Sequence, residues 1–198
     1  MYLVIDLETT GLPQKSYGEY YPYDQIDRYP YVVQVAWIFL NKKLDIVEKK
    51  NYIVKIQEPI PKHTTKIHGI TNEMAEAKGV YLTEVLKEMK KLDYQILVSH
   101  NLDFDANVLL SNCILVGDSE METILLSKKR YCTMKVATDI LCIPGKRGPE
   151  FKYPSLKEMY EYYFPNEKFT VTHNASKDVE ACAKCLQIQL SQLQSRHT

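Results

Sequence analysis

The first residues, MYLVIDLETT, form an apolar run that reads as a buried strand. Side chains alternate along such a strand, so Leu3, Ile5 and Leu7 share one face while Val4, Asp6 and Glu8 share the other. A polar, tyrosine-rich loop follows to about residue 30. YVVQVAWIFL and LDIVEKKNYIVKI then read as two antiparallel strands joined at NKK. From PIPKHTTKIHGI onward the spacing turns helical: Thr71 caps a short helix that Gly79 ends, and YLTEVLKEMKKL places Leu82, Val85, Leu86 and Met89 on one helical face. YQILVSH returns to strand, and helices follow near 103–115, 133–141, 155–163 and 174–194. The last carries a buried stripe of Ala175, Val179, Cys182, Leu186, Leu190 and Leu193, with Asn174 or Ser176 available as its cap. Strands interleaved with helices predict an α/β layered domain with a mixed sheet. No repeat or low-complexity linker divides residues 1–198, which are expected to form a single domain.

Composition narrows the class. With 198 residues and 45% hydrophobic content the chain can bury one sizeable core. Met1 leads straight into the strand without a signal segment or membrane span, so a soluble, cytoplasmic protein is expected. Five scattered cysteines suit a reducing compartment, and Cys182 and Cys185 lack the further ligands that would make their C-x-x-C a zinc site. Equal numbers of acidic and basic residues, 25 each, exclude a strong whole-surface attraction to nucleic acid. Any such contact is local.

Asp6 and Glu8 raise the chemical question, because two carboxylates on one face of a buried strand repel each other unless a cation lies between them. Two further stretches hold acids. In SHNLDFDANVLL, Asp103 and Asp105 lie about 200° apart on a helical wheel and cannot both face one site; Asp103 or Asn101 suits the helix cap, and either acid gains from the helix dipole. In VTHNASKD, Asp178 falls on the border of the final helix's buried stripe and His173 sits just before that helix.

Taken together, DLETTG, HGIT, SHNLDFD and HNASKD resemble, in order and separation, the motifs of the DnaQ-like 3′-5′ exonucleases with a histidine in the active site. CTMKVATDI and PSLKEMYEYYF resemble the segments between that family's second and third acidic motifs, so the resemblance runs from residue 3 to about 190. It implies an RNase H-like fold, a mixed sheet of about five strands flanked by helices. It also implies a catalytic set of Asp6, Glu8, Asp105, Asp178 and His173, the acid after the phenylalanine being the ligand, which leaves Asp103 as a cap or surface acid.

Four converging carboxylates suit two hard divalent ions, Mg²⁺ or Mn²⁺, which clamp the attacking and leaving oxygens of a phosphodiester. In that reading Asp6 bridges the ions, Glu8 and Asp178 complete one shell, Asp105 holds the other ion mainly through water, and His173 takes the proton from the nucleophilic water. The expected activity is 3′-5′ hydrolysis of single-stranded or frayed DNA ends, releasing nucleoside 5′-monophosphates; RNA ends are the alternative substrate. A catalytically silent domain that binds nucleic acid or a polymerase is the reading of another class. The family includes proofreading subunits, so a DNA polymerase is an expected partner. Thr9 and Thr10 offer hydroxyl or N–H groups to the terminal nucleotide or simply shape a turn. The resemblance places Ile67 and His68 against the terminal base, and Phe104 at the same end.

Two surface features complete the expectations. Residues 128–157 carry Lys128, Lys129, Arg130, Lys135, Lys146, Arg147, Lys152 and Lys157 against Asp139 and Glu150, a candidate phosphate-tracking patch. The six tyrosines from Tyr17 to Tyr31 are expected to pack their rings onto the sheet and keep their hydroxyls wet.

Overall fold

The computed structural model describes residues 1–146, 150–170 and 173–195. Five strands form one mixed sheet in the order β5 (Ile46–Ile53), β4 (Val32–Leu40), β1 (Tyr2–Thr9), β6 (Ile96–Ser99) and β7 (Lys129–Cys132). The β5–β4 and β4–β1 pairs are antiparallel, and the β1–β6 and β6–β7 pairs are parallel. β4 is buried at all nine positions, as a central strand covered on both sides must be.

The alternation along β1 sorts its side chains between two cores. Leu3, Ile5 and Leu7 pack with Trp37 and Leu97 beneath α3 (Leu82–Lys90), α4 (Leu102–Leu115) and α5 (Ser119–Ser127). Val4 packs on the opposite face with Ile38, Leu40 and Val98 against Ala175, Val179, Cys182 and Leu186 of α8 (Ala175–Ser195). Asp6 and Glu8 have the parity of Val4 and therefore lie on the α8 face. α6 (Thr133–Leu141) and α7 (Leu156–Tyr163) brace α8 through Ala137, Met159, Tyr160 and Cys185. Two short helices, α1 (Lys62–His68) and α2 (Asn72–Lys78), bridge β5 to α3. Thr71 caps α2 by accepting from the Met74 N–H, and Gly79 closes it. A Cβ at Gly79 would stand 2.3 Å from the Ala75 oxygen, so only glycine permits that approach.

Several details depart from the sequence reading. α5 and β7 were not legible as separate elements. Leu193 is 40% exposed rather than part of the buried stripe, because α8 runs past the sheet before that position. Asn101 occupies the cap position of α4 in a left-handed conformation, but its side chain makes no capping bond, and Asp103 instead pairs with Lys135 at 2.6 Å. The basic stretch does not form one track. Lys129 pairs in register with Ile96 at the start of β6, the opposite end of the strands from Ser99, whereas Lys135, Lys152 and Lys157 are each ion-paired. Arg147 lies outside the described residues. Of the tyrosines, Tyr29 is buried with its hydroxyl on the Tyr21 carbonyl and Tyr23 reaches Glu122, while Tyr17 is fully exposed. A two-stranded turn, β2 (Lys15–Ser16) with β3 (Glu19–Tyr20), organises this loop.

Asn112 ties the end of the loop to α4. Its Oδ1 accepts from the Val32 N–H at 3.1 Å, and its Nδ2 donates to the carbonyls of Pro30 and Val108, each at 2.9 Å. Asn112→Ala leaves the Val32 N–H and the Pro30 carbonyl buried without partners, and is expected to lower the unfolding free energy by about 2–4 kcal/mol. Urea denaturation measures this; a loss below about 1 kcal/mol would show that these bonds do not hold the loop.

Candidate active site

The site forms where one strand stops and its neighbour continues. β6 pairs with β1 only at Tyr2, Leu3 and Val4, and then ends at Ser99. Beyond Val4, β1 keeps β4 on one side and has an open edge on the other. The first turn of α4 crosses that edge: Asp105 Oδ1 accepts from the Leu7 N–H at 3.2 Å, and Oδ2 accepts from the Ser99 hydroxyl at 2.5 Å. The Asp105 carboxylate thus occupies the place that the next residue of β6 would have filled. Asp103, on the other side of the helix, points to solvent and Lys135.

The α8 face supplies the rest. Asp6, Glu8 and Asp178 each present a carboxylate oxygen within 4.8 Å of the others. Gln34, the one polar interruption of β4, pairs in register with Glu8 and accepts the N–H of Ala175, which pins the start of α8 above β1. Asn174 continues that cap, its backbone oxygen accepting from Lys177 and Asp178 and its Oδ1 from Ser176. Asp178 Oδ1 is buried and finds no hydrogen-bond partner among the described residues. His173 stands just before the helix, exposed, with φ 42°.

Electrostatics follow from this crowding. Burial, reinforced by Asp105, Asp178 and Glu8, holds the Asp6 carboxyl well above the usual carboxylate range. Burial and then Asp178 and Asp105 push Glu8 up to about 8. Burial lifts Asp105 to about 7, opposed by its bonds from Ser99 and Leu7. Burial also raises Asp178, against the opposing influence of His173, the Asn174 backbone and Lys177. Among the described residues the opposing charges act on Asp178, and none offsets Asp6 or Glu8. Oxygens on opposite sides of one Mg²⁺ or Ca²⁺ ion lie ~4–5 Å apart, so the spacing of the trio, its unpaired buried oxygen and its hard donors fit a divalent cation.

The remaining candidate residues line the same end of the sheet. Thr9 is buried and donates to the Gly11 carbonyl at 2.5 Å. Thr10 donates its N–H to the Tyr31 carbonyl and accepts the Tyr31 N–H on its hydroxyl, so its side chain serves the turn. Ile67 is 51% exposed, whereas His68 is buried; its Nδ1 accepts the Ile70 N–H, leaving Nε2 as the protonated nitrogen, turned toward the Thr9 backbone carbonyl. Phe104 packs partly into the core beneath α4. Ser99 and Gln34 escaped the sequence reading, although a glutamine inside an apolar strand was a usable signal.

These pKa directions set a sign for stability. Carboxyls raised in the folded chain bind protons that the unfolded chain has released, so metal-free protein loses stability as pH rises from about 4, the ordinary carboxylate range, through about 8. Thermal melts in EDTA are expected to show the midpoint falling between pH 5 and pH 8, with Mg²⁺ recovering it at pH 8 and having little effect at pH 5. Asp178→Asn is expected to flatten the profile; an unchanged slope in that variant would mean that the cluster is not its source.

Comparison with known proteins agrees with this architecture. The chain is 30% identical over 132 residues to the DNA polymerase III subunit epsilon-like protein of Rhodobacter capsulatus, covering 64% of this chain and 17% of that protein. The chain therefore spans less than a fifth of that relative's length. Exonuclease X in complex with 5′ overhanging duplex DNA superimposes with a TM-score of 0.63 at 22% identity, covering 97% of this chain and 92% of that one. E. coli exonuclease I in complex with a dA16 oligonucleotide gives a TM-score of 0.70 at 16% identity, covering 96% and 40%. At such identities the likeness speaks for the fold, and the five-stranded mixed sheet is the RNase H-like one. Residues 3–186 match the exonuclease family RNase_T, and the chain belongs to that family of DnaQ-like exonucleases.

Proposed function

We propose that the chain is a metal-dependent 3′-5′ exonuclease acting on single-stranded or frayed DNA ends and releasing nucleoside 5′-monophosphates. The observation that carries this is the Asp6, Glu8 and Asp178 trio, with an unpaired buried oxygen, at the open edge of β1. Asp6, Glu8 and Asp178 would hold one divalent ion, Mg²⁺ or Mn²⁺, and Asp105, outside that trio but beside the end of β1, would serve a second. When bound, the ions offset the carboxylate charge, activate water and stabilise the charge that develops on the phosphate. His173, exposed at the mouth of the site, accepts the proton of the attacking water on a ring nitrogen. Asp178 balances the imidazolium that results, since the two already act on each other electrostatically.

The terminal nucleotide is held from the α1 side. Ile67 offers an exposed apolar surface to a base, and His68 backs it from within, its ring turned toward the Thr9 backbone. Thr9 fixes the turn after Glu8, and Phe104 borders the opposite wall. The name of the Rhodobacter capsulatus relative extends the proposal to a DNA polymerase as partner. Among the described residues no helix is long and apolar enough to cross a membrane.

Digestion of 5′-labelled single-stranded DNA and RNA of matched sequence, with Mg²⁺, Mn²⁺ or EDTA, tests the reading. A ladder shortening from the 3′ end is expected with either metal and not with EDTA, faster on DNA. Asp6→Ala is expected to reduce it to background and His173→Ala by about 10²- to 10⁴-fold. Immediate release of a labelled mononucleotide would mean the opposite polarity, and no cleavage by folded, metal-bound protein would leave a binding domain.

A further inference from the structure

A strand whose 3′ end lies at the carboxylates has to leave the site across one of its walls. The wall beside α4 carries an arm that the catalytic reading does not use. Residues 143–146 and 150–152 pair back on themselves through the Pro144–Phe151 bridge, with Gly145 N–H donating to the Glu150 carbonyl at 3.1 Å and Lys152 N–H to Ile143 at 2.9 Å. The base of the arm is clamped to the site. His100, next to the Ser99 that binds Asp105, donates from Nε2 to the Pro154 carbonyl at 3.0 Å. Because that carbonyl only accepts, Nδ1 of the neutral ring accepts from the hydroxyl of buried Thr133, 3.2 Å away.

Beyond the clamp the chain alternates. Pro154 is buried and Lys152 pairs with Glu158, whereas Phe151 and Tyr153 face outward, 49% and 60% exposed. Tyr153 lies near enough to Lys135 to act on its ammonium group, and Lys135 is bonded to Asp103 in the first turn of α4. That same turn supplies Asp105 from its other side. Lys146 is exposed on the arm. Two outward rings on a clamped backbone, with lysines beside them, are the combination that holds single strands without reading their sequence: rings take bases, and ammonium groups take phosphates. Lys135 keeps two further N–H donors after bonding Asp103.

We propose that Phe151 and Tyr153, with Lys135 and Lys146, form a stacking wall for the nucleotides on the 5′ side of the scissile end. This rests on the exonuclease reading above and adds to it a single-stranded, sequence-tolerant substrate contact. The wall acts on strand binding and leaves the chemistry to the carboxylates.

The test compares wild type, Phe151→Ala/Tyr153→Ala and Tyr153→Phe on dT10 and on the p-nitrophenyl ester of thymidine 5′-monophosphate, which fills only the terminal position. For the double variant KM on dT10 is expected to rise about tenfold with kcat within twofold, and ester hydrolysis to be retained. Tyr153→Phe is expected to bind dT10 as wild type does. An unchanged KM on dT10 overturns the proposal, and so does an equal loss on both substrates, which would make the rings supports of the fold. Should wild type hydrolyse neither substrate, the exonuclease reading fails by itself. Fluorescence anisotropy of 5′-fluorescein-dT10 with Ca²⁺ then decides: tenfold weaker binding by the double variant upholds the wall, and equal affinity overturns it.

Discussion

Carboxylates cannot be buried side by side as anions without a counter-charge, and much of this molecule is arranged around that constraint. The sheet brings it about. β6 stops after Ser99 while β1 continues through Asp6 and Glu8, so the acids stand at an edge that is covered above and below but open along its side. The edge has unmet backbone needs as well as excess charge. Asp105 meets the first by accepting the Leu7 N–H and adds to the second. Asp178, carried in by α8, adds a third carboxylate to the face that Asp6 and Glu8 share and brings an oxygen that no group among the described residues satisfies. The arrangement is coherent once cations are admitted and strained without them.

Such a cluster persists only where its surroundings leave the side chains no alternative. β4 is buried at every position, and both faces of β1 are packed, so the strand that carries Asp6 cannot relax away from its neighbours. The start of α8 is held by Gln34 and Asn174 rather than by the acids themselves. Ser99 fixes Asp105 from the end of β6. Asp105 and Asp178 are therefore positioned by neutral polar groups on rigid elements, and Asp6 and Glu8 by the strand itself, which lets the carboxylates stay available to a ligand. This is the division of labour expected of a preorganised site: the scaffold supplies the stability, and the cluster spends some of it.

The parity of β1 was fully legible. Assigning Leu3, Ile5 and Leu7 to one face and Val4, Asp6 and Glu8 to the other requires only strand geometry, and the two cores divide accordingly. The helical stripes of α3 and α8 were legible for the same reason, except at Leu193, where periodicity continues but the sheet beneath it does not. The choice between Asp103 and Asp105 was not. The wheel shows that the two diverge, but not which one faces the sheet, since that depends on how α4 crosses the end of β6; the family motif supplied the answer. α5 and β7 were missed because a four-residue edge strand after a short helix carries too little pattern of its own. The basic stretch misled in a different way: closeness in sequence suggested one patch, but Lys129 and Lys135 stand at opposite ends of the parallel strands.

That separation bears on how a protein with zero net charge would engage a polyanion, as the proposed function requires. Long-range attraction is weak when acids and bases balance, so affinity has to come from short-range contacts close to the chemistry. In the proposed exonuclease the carboxylate cluster would repel phosphate until cations reversed its sign, which would tie substrate binding to metal binding. Aromatic surface is free of that dependence, since stacking on Tyr153 or an apolar contact with Ile67 needs no charge. The two kinds of contact lie on different walls, Ile67 on the α1 side and Tyr153 on the α4 side. In the proposed exonuclease, a strand end held between them would present its last phosphodiester to the carboxylates of β1 and α8, beside the Asp105 that takes the place of the next β6 residue.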